Sequence, residues 1–97
     1  MVQTLRSITI LAGQKIIMFE KPRTLNRIFF SIQAIAPSNE CHKSKISFDD
    51  PSFLSFYVLD CPTRYFESKG EGIFQGNIWV YNTSDTNLLH TATEILV

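Results

Sequence analysis

At 97 residues the chain has room for one self-sufficient core without a disulfide or metal, so residues 1–97 are read as a single domain. A hydrophobic fraction of 44% beside 19% charged residues argues against a disordered chain and leaves a surface rich in Ser, Thr and Asn. Nine basic and nine acidic side chains cancel, so no long-range field gathers phosphates or an anionic membrane, and neither direct nucleic-acid binding nor membrane association is expected.

Residues 4–11 alternate Thr4, Arg6, Ile8 and Ile10 against Leu5, Ser7, Thr9 and Leu11, and their β-branched content predicts a strand. The apolar run at 8–13 is far shorter than the ~20 residues of a membrane span, and polar residues interrupt it too often for a signal peptide. A cytosolic product that keeps its N-terminus is expected. Ala12-Gly13-Gln14 breaks the strand, and residues 15–20 read as a second one hairpinned to the first and closed by Lys21-Pro22-Arg23. Residues 26–36 place Ile28, Phe30, Ile32, Ala34 and Ala36 on one parity, which predicts a long strand buried on its even side. After a loop at 37–43, residues 44–48 form a short strand with Ile46 and Phe48 inward, and Asp49-Asp50-Pro51 is a turn.

Residues 52–59 are apolar on both parities, which predicts a strand in the middle of a sheet. A short strand at 64–67 and a glycine-punctuated turn lead into residues 72–82, read as the central strand of the fold. One face of it carries Phe74, Gly76, Ile78 and Val80 and suits a core; the other carries Gln75, Asn77, Trp79 and Tyr81 and suits a partner. A polar turn at 82–87 precedes a last strand at 88–97, expected to hairpin with the central one. Helical spacing at 24–36 and 86–97 is opposed by β-branched and aromatic density. About eight short strands at roughly 8–12-residue spacing predict an all-β domain, an antiparallel β-sandwich of jelly-roll type, with Ile28, Phe30, Ile32, Phe56, Val58, Phe74, Ile78 and Val80 in one core.

The chemistry-bearing residues do not assemble into a reaction. Cys41, His42, Cys61 and His90 have the composition of a tetrahedral zinc site but lack the close cysteine pairs that pre-arrange one, and no metal or cofactor is expected. Both cysteines are expected as free thiols, with a Cys41–Cys61 bridge as the alternative. Adjacent Cys41 and His42 point apart when extended, so a thiol nucleophile is not expected and the chain is not read as an enzyme. Gly70-Glu71-Gly72 leads into a strand rather than a helix and is no phosphate loop. Lys21, Arg23 and Arg27 read as solvated loop charge or as ion-pair partners in an assembly. For Trp79 and Tyr81 three readings stand: a partner interface, packing under a loop, or a sugar-stacking platform.

The arginine-opened strand Arg27-Ile28-Phe29-Phe30-Ser31-Ile32, the Tyr65-Phe66-Glu67 strand and the run Gly76-Asn77-Ile78-Trp79-Val80-Tyr81-Asn82-Thr83-Ser84 resemble the small all-β virion proteins of tailed bacteriophages, above all head decoration (cement) proteins. The resemblance covers most of the chain in style and rests on no diagnostic motif. It implies a β-sandwich subunit, made in the host cytoplasm, that reinforces the outside of an assembled capsid. Its partners would be the major capsid protein or other virion proteins and copies of itself, a trimer included. A phage tail or fibre module and a non-catalytic carbohydrate-binding β-sandwich are the alternatives. The strip Gln75, Asn77, Trp79 and Tyr81 is the expected protein interface.

Overall fold

Strands form where the alternation of apolar and polar residues is densest. A computed structural model describes residues 1–35, 40–61, 63–70 and 73–97. The expectations for Ala36, for residues 37–39 of the following loop, and for Pro62, Glu71 and Gly72 lie outside the described residues. The strands are β1 (Val2–Ile10), β2 (Lys15–Phe19), β3 (Arg27–Ile35), β4 (Ser44–Phe48), β5 (Tyr57–Leu59), β6 (Tyr65–Lys69), β7 (Ile78–Asn82) and β8 (Leu88–Leu96). Among the described residues there is no helix, and the domain is all-β.

Two four-stranded antiparallel sheets result, the first ordered β1-β8-β3-β6 and the second β2-β7-β4-β5. Both contribute to one core. Ile10, Phe30, Ile32, Ala34 and Ala92 come from the first sheet, and Met18, Phe19, Ile46, Leu59, Ile78 and Val80 from the second. Phe30 is fully buried, edge-on to Phe19 of the other sheet at 6.0 Å and tilted against Phe66 at 6.1 Å. Aromatic pairs at such offsets add to the stabilisation from area alone.

The predicted hairpins do not form. β1 and β2 lie in different sheets, as do β7 and β8. A short connection is equally able to carry the chain across to the opposite sheet, and the Asn82 side chain braces the two crossings. Asn82 donates from Nδ2 to the carbonyls of Ile10 and Thr86 and accepts from the Ser84 N–H and hydroxyl. β7 is central in its sheet as expected, but the strand covers only Ile78–Asn82.

Residues 52–59 also depart from expectation. Only Tyr57–Leu59 is strand, it lies at the sheet edge, and its inward residue is Leu59, leaving Phe56 41% and Val58 45% exposed. Asp50 is the cause. Its carboxylate accepts from the Ser52 N–H and hydroxyl and from the Leu54 and Ser55 N–H groups, which curls 50–55 into a loop in which Phe53 adopts a φ of 55°. Ile28 leaves the predicted core for another reason. The β3–β8 register shifts between Arg27 and Phe29, so Ile28 is the extra residue of a bulge and is 37% exposed, while Arg27 turns inward. Phe74 is half-buried, against Phe48 at 5.2 Å.

Candidate functional site

The strip on the second sheet is built by β7 and the segment before it, and its four residues have different surroundings. Gln75 behaves as a substitute strand residue. Its Oε1 accepts from the Arg27 N–H at 2.6 Å, and its Nε2 donates to the Arg27 carbonyl at 2.7 Å and to that of Ile73 at 3.0 Å. Asn77 accepts from the Lys21 N–H at 2.7 Å. The Gln75 amide is therefore committed inside the molecule, whereas Asn77 uses its oxygen in this way and also lines the open cleft beside Lys21. Trp79 is half-buried between Ile17 and Ser47 of the flanking strands. Tyr81 is half-buried with the Phe53 ring edge-on at 5.4 Å, and the Lys15 ammonium lies 5.0 Å from its centroid. Lys15 also donates to the Pro51 carbonyl, and Lys45 stands 4.0 Å over Phe56. Loop 49–56 is thus fastened over part of this face. The Ser52 hydroxyl, ahead of the backbone N–H groups, holds the Asp50 carboxyl below its usual value of 3.8.

Arg27 corrects the expectation of a solvated basic patch with Lys21 and Arg23. It is fully buried. Its Nε donates to Glu94 at 2.8 Å, Nη1 to the carbonyls of Phe74 and Gly76 at 2.8 and 2.9 Å, and Nη2 to that of Glu20 at 3.2 Å. A guanidinium has donors enough to satisfy a carboxylate and several carbonyls at once, and this one binds residues 73–77 to the start of β3. Lys21 and Arg23 remain exposed, beside an open cleft of about 520 Å³ with Ile17 and Glu20.

The cysteines are joined in a Cys41–Cys61 disulfide with Cα atoms 5.7 Å apart, which corrects the expectation of free thiols. Because Ser44 pairs with Leu59 in the β4–β5 ladder, the residues just beyond that pair are carried together. Asp60 lies within 4.8 Å of both sulfurs, but bonded sulfurs are not the thiolates a metal requires. His90 is not near them. It is fully buried, with Nε2 2.8 Å from the Ser44 hydroxyl and Nδ1 3.2 Å from the Leu88 carbonyl. A carbonyl only accepts, so Nδ1 carries the proton and Nε2 accepts from Ser44. Burial holds the imidazole below its usual 6.5. The pair resembles a base beside a nucleophile, but Ser44 is itself fully buried and no substrate reaches it. It links β4 of one sheet to β8 of the other.

Neither a family model nor a curated protein matches this chain.

The outer face of the first sheet carries a feature that strand-by-strand reading missed. Across β1, β8 and β3 the register sets four rows side by side: Gln3–Ile95–Phe29, Leu5–Thr93–Ser31, Ser7–Thr91–Gln33 and Thr9–Leu89–Ile35. No residue in these rows is charged. Leu5 on one flank and Tyr65 on the other wall a groove of about 220 Å³ over Ser31, Thr91 and Thr93. The signal was in the sequence, since the outward parities of these three strands hold only Ser, Thr, Gln and apolar residues. It becomes visible only once the strand order sets them together.

Proposed function

We propose that this chain is a jelly-roll structural protein of a virion, a decoration subunit that binds in many copies to the outside of an assembled capsid through the outer face of its first sheet. The strand order supports the jelly roll: 1-8-3-6 opposite 2-7-4-5 is the order produced when a long eight-stranded hairpin is wrapped into two Greek keys, an architecture common in capsid and lectin domains. The observation that carries the function is the uncharged surface of β1, β8 and β3. With strands ~4.8 Å apart and alternate residues ~6.8 Å apart, the four rows cover on the order of 400 Å², about half of one partner's share of a standard interface. A small neutral contact suits a protein whose attachment is multiplied by copy number. The disulfide also suits a particle that persists outside the cell.

The test is co-sedimentation with purified capsid shells of the source virus. Wild type should pellet with the shells, and Thr91→Glu, which sets a charge in the middle of the face, should stay in the supernatant while remaining folded. Equal pelleting of both, or none by wild type, removes the reading. A second reading, a carbohydrate-binding module, is favoured by the hydroxyl- and amide-lined groove beside Tyr65, which is 49% exposed. It predicts that soluble glycans perturb Tyr65 rather than the half-buried Trp79.

A further inference from the structure

We infer that β1 takes a strand from a second copy of this chain, antiparallel, with the twofold axis at Leu5. This inference does not rest on the virion reading, because it concerns only the edge of the first sheet.

A sheet edge offers unpaired N–H and C=O groups to any passing strand, and proteins guard edges by shortness, charge, proline or bulges. Among the described residues, three of the four sheet edges are guarded. β5 is 3 residues long; β6 is 5 long and carries Glu67 and Lys69 outward. β2 is bulged between Ile17 and Phe19, and the Arg6 guanidinium occupies the carbonyls of Ile17 and Met18 at 2.9 and 2.6 Å. β1 has none of these devices. It is 9 residues long, pairs with β8 without a register shift, and contains no proline. Its one charged side chain, Arg6, is drawn across to β2.

A second observation concerns its faces. A half-buried strand should alternate, but every side chain from Val2 to Ser7 is exposed, the inward Val2, Thr4 and Arg6 included. This half of the strand therefore has solvent on both faces and along one edge, which is little to hold nine paired residues in place.

Self-complementarity identifies the occupant. Side chains of a second strand keep to their faces only when paired residues share parity. An axis at Arg6 sets two guanidinium-bearing residues opposite one another, which is unfavourable. An axis at Leu5 sets Leu5 against its counterpart, Gln3 against Ser7, Thr4 against Arg6 and Val2 against Ile8. It centres the pairing on the exposed half and covers Leu5, which is 72% exposed. The formal charge of zero leaves no repulsion between copies. The product is one eight-stranded sheet in which the uncharged β1, β8 and β3 surfaces of the two copies are continuous.

The experiment is sedimentation velocity over a wide concentration range, with variants at exposed positions that leave the core untouched. Wild type should run as a dimer and Leu5→Lys as a monomer with an unchanged melting temperature. Leu5→Cys should form a covalent dimer on mild oxidation, whereas Thr9→Cys, displaced from the axis, should not. A monomeric wild type overturns the proposal, including one that captures a strand of another protein at this edge. So does a dimer that Leu5→Lys leaves intact, or one in which Thr9→Cys cross-links as readily.

Discussion

Replacing Arg27 by methionine keeps most of the side-chain length and removes the charge. The Glu94 carboxylate, 6% exposed, then loses its cation, and the carbonyls of Phe74, Gly76 and Glu20 lose their donor. Breaking a buried ion pair from one side costs ~3–5 kcal/mol. The Phe74 and Gly76 carbonyls add less than their full desolvation cost, because residues 73–77 form no strand with a neighbour and can open to water. We expect a loss of about 4 kcal/mol, a large share of the ~5–15 kcal/mol available to a domain of this size. In urea, where the slope is ~1–3 kcal/mol per molar, the midpoint should fall by roughly 2 M. Glu94→Gln keeps an acceptor for Nε and should cost less, about 2–3 kcal/mol. Arg27→Met with Glu94→Leu should recover part of the loss, because two apolar residues leave no buried charge. A midpoint for Arg27→Met within the error of wild type, at unchanged slope, would show that the guanidinium is solvated and does not hold the 73–77 segment.

Three further outcomes are expected of the same fold. Phe30→Ala should cost ~3–5 kcal/mol in denaturant titration while Phe56→Ala, at an exposed position, should cost under ~1 kcal/mol; equal costs would contradict the packing. Reducing the Cys41–Cys61 bond, which closes a separation of 20 residues, should remove ~3 kcal/mol and lower the melting temperature by roughly 10–20 °C, and Cys41→Ser with Cys61→Ser should match the reduced protein. His90 is held neutral in the fold, so the unfolded chain binds one more proton below its usual 6.5 and stability should fall as pH drops from there toward the lower folded value. The slope is at most about 1.4 kcal/mol per pH unit, and a flat stability between pH 6.5 and 5 in wild type, or the same slope in His90→Gln, would refute it.

The alternation of Phe30, Ile32 and Ala34 and of Ile78 and Val80 was enough to read two core strands, because each is buried on one face and paired on both sides. Parity failed where the backbone departs from regular pairing. At Ile28 a single inserted residue exchanges inside for outside, and at 50–55 one carboxylate outcompetes the ladder. A usable signal for the Arg27–Glu94 pair was present. The inward parity of the last strand holds Leu88, His90, Ala92 and Glu94, and a carboxylate on a core face requires a buried cation. The disulfide had a signal of the same kind, since Cys41 and Cys61 flank the outer ends of two short strands that pair. The internal role of Gln75 was the least legible feature. An amide has the same appearance in sequence whether it faces a partner or, as Gln75 does, substitutes for backbone within the fold.

The β1–β8 ladder pairs Val2 with Leu96, and among the described residues β8 is the only strand hydrogen-bonded to β1 in its sheet. Chain closure over such a separation must be completed before any of the ladder's bonds form. Folding should accordingly fall at the slow end, in the ms–s range of domains dominated by non-local pairing. During synthesis β1 leaves the ribosome well before β8 and waits for most of this sequence before its partner exists. Until then it has both edges open, in a segment with one charge, so the interval before β8 emerges is when this protein is most exposed to mispairing.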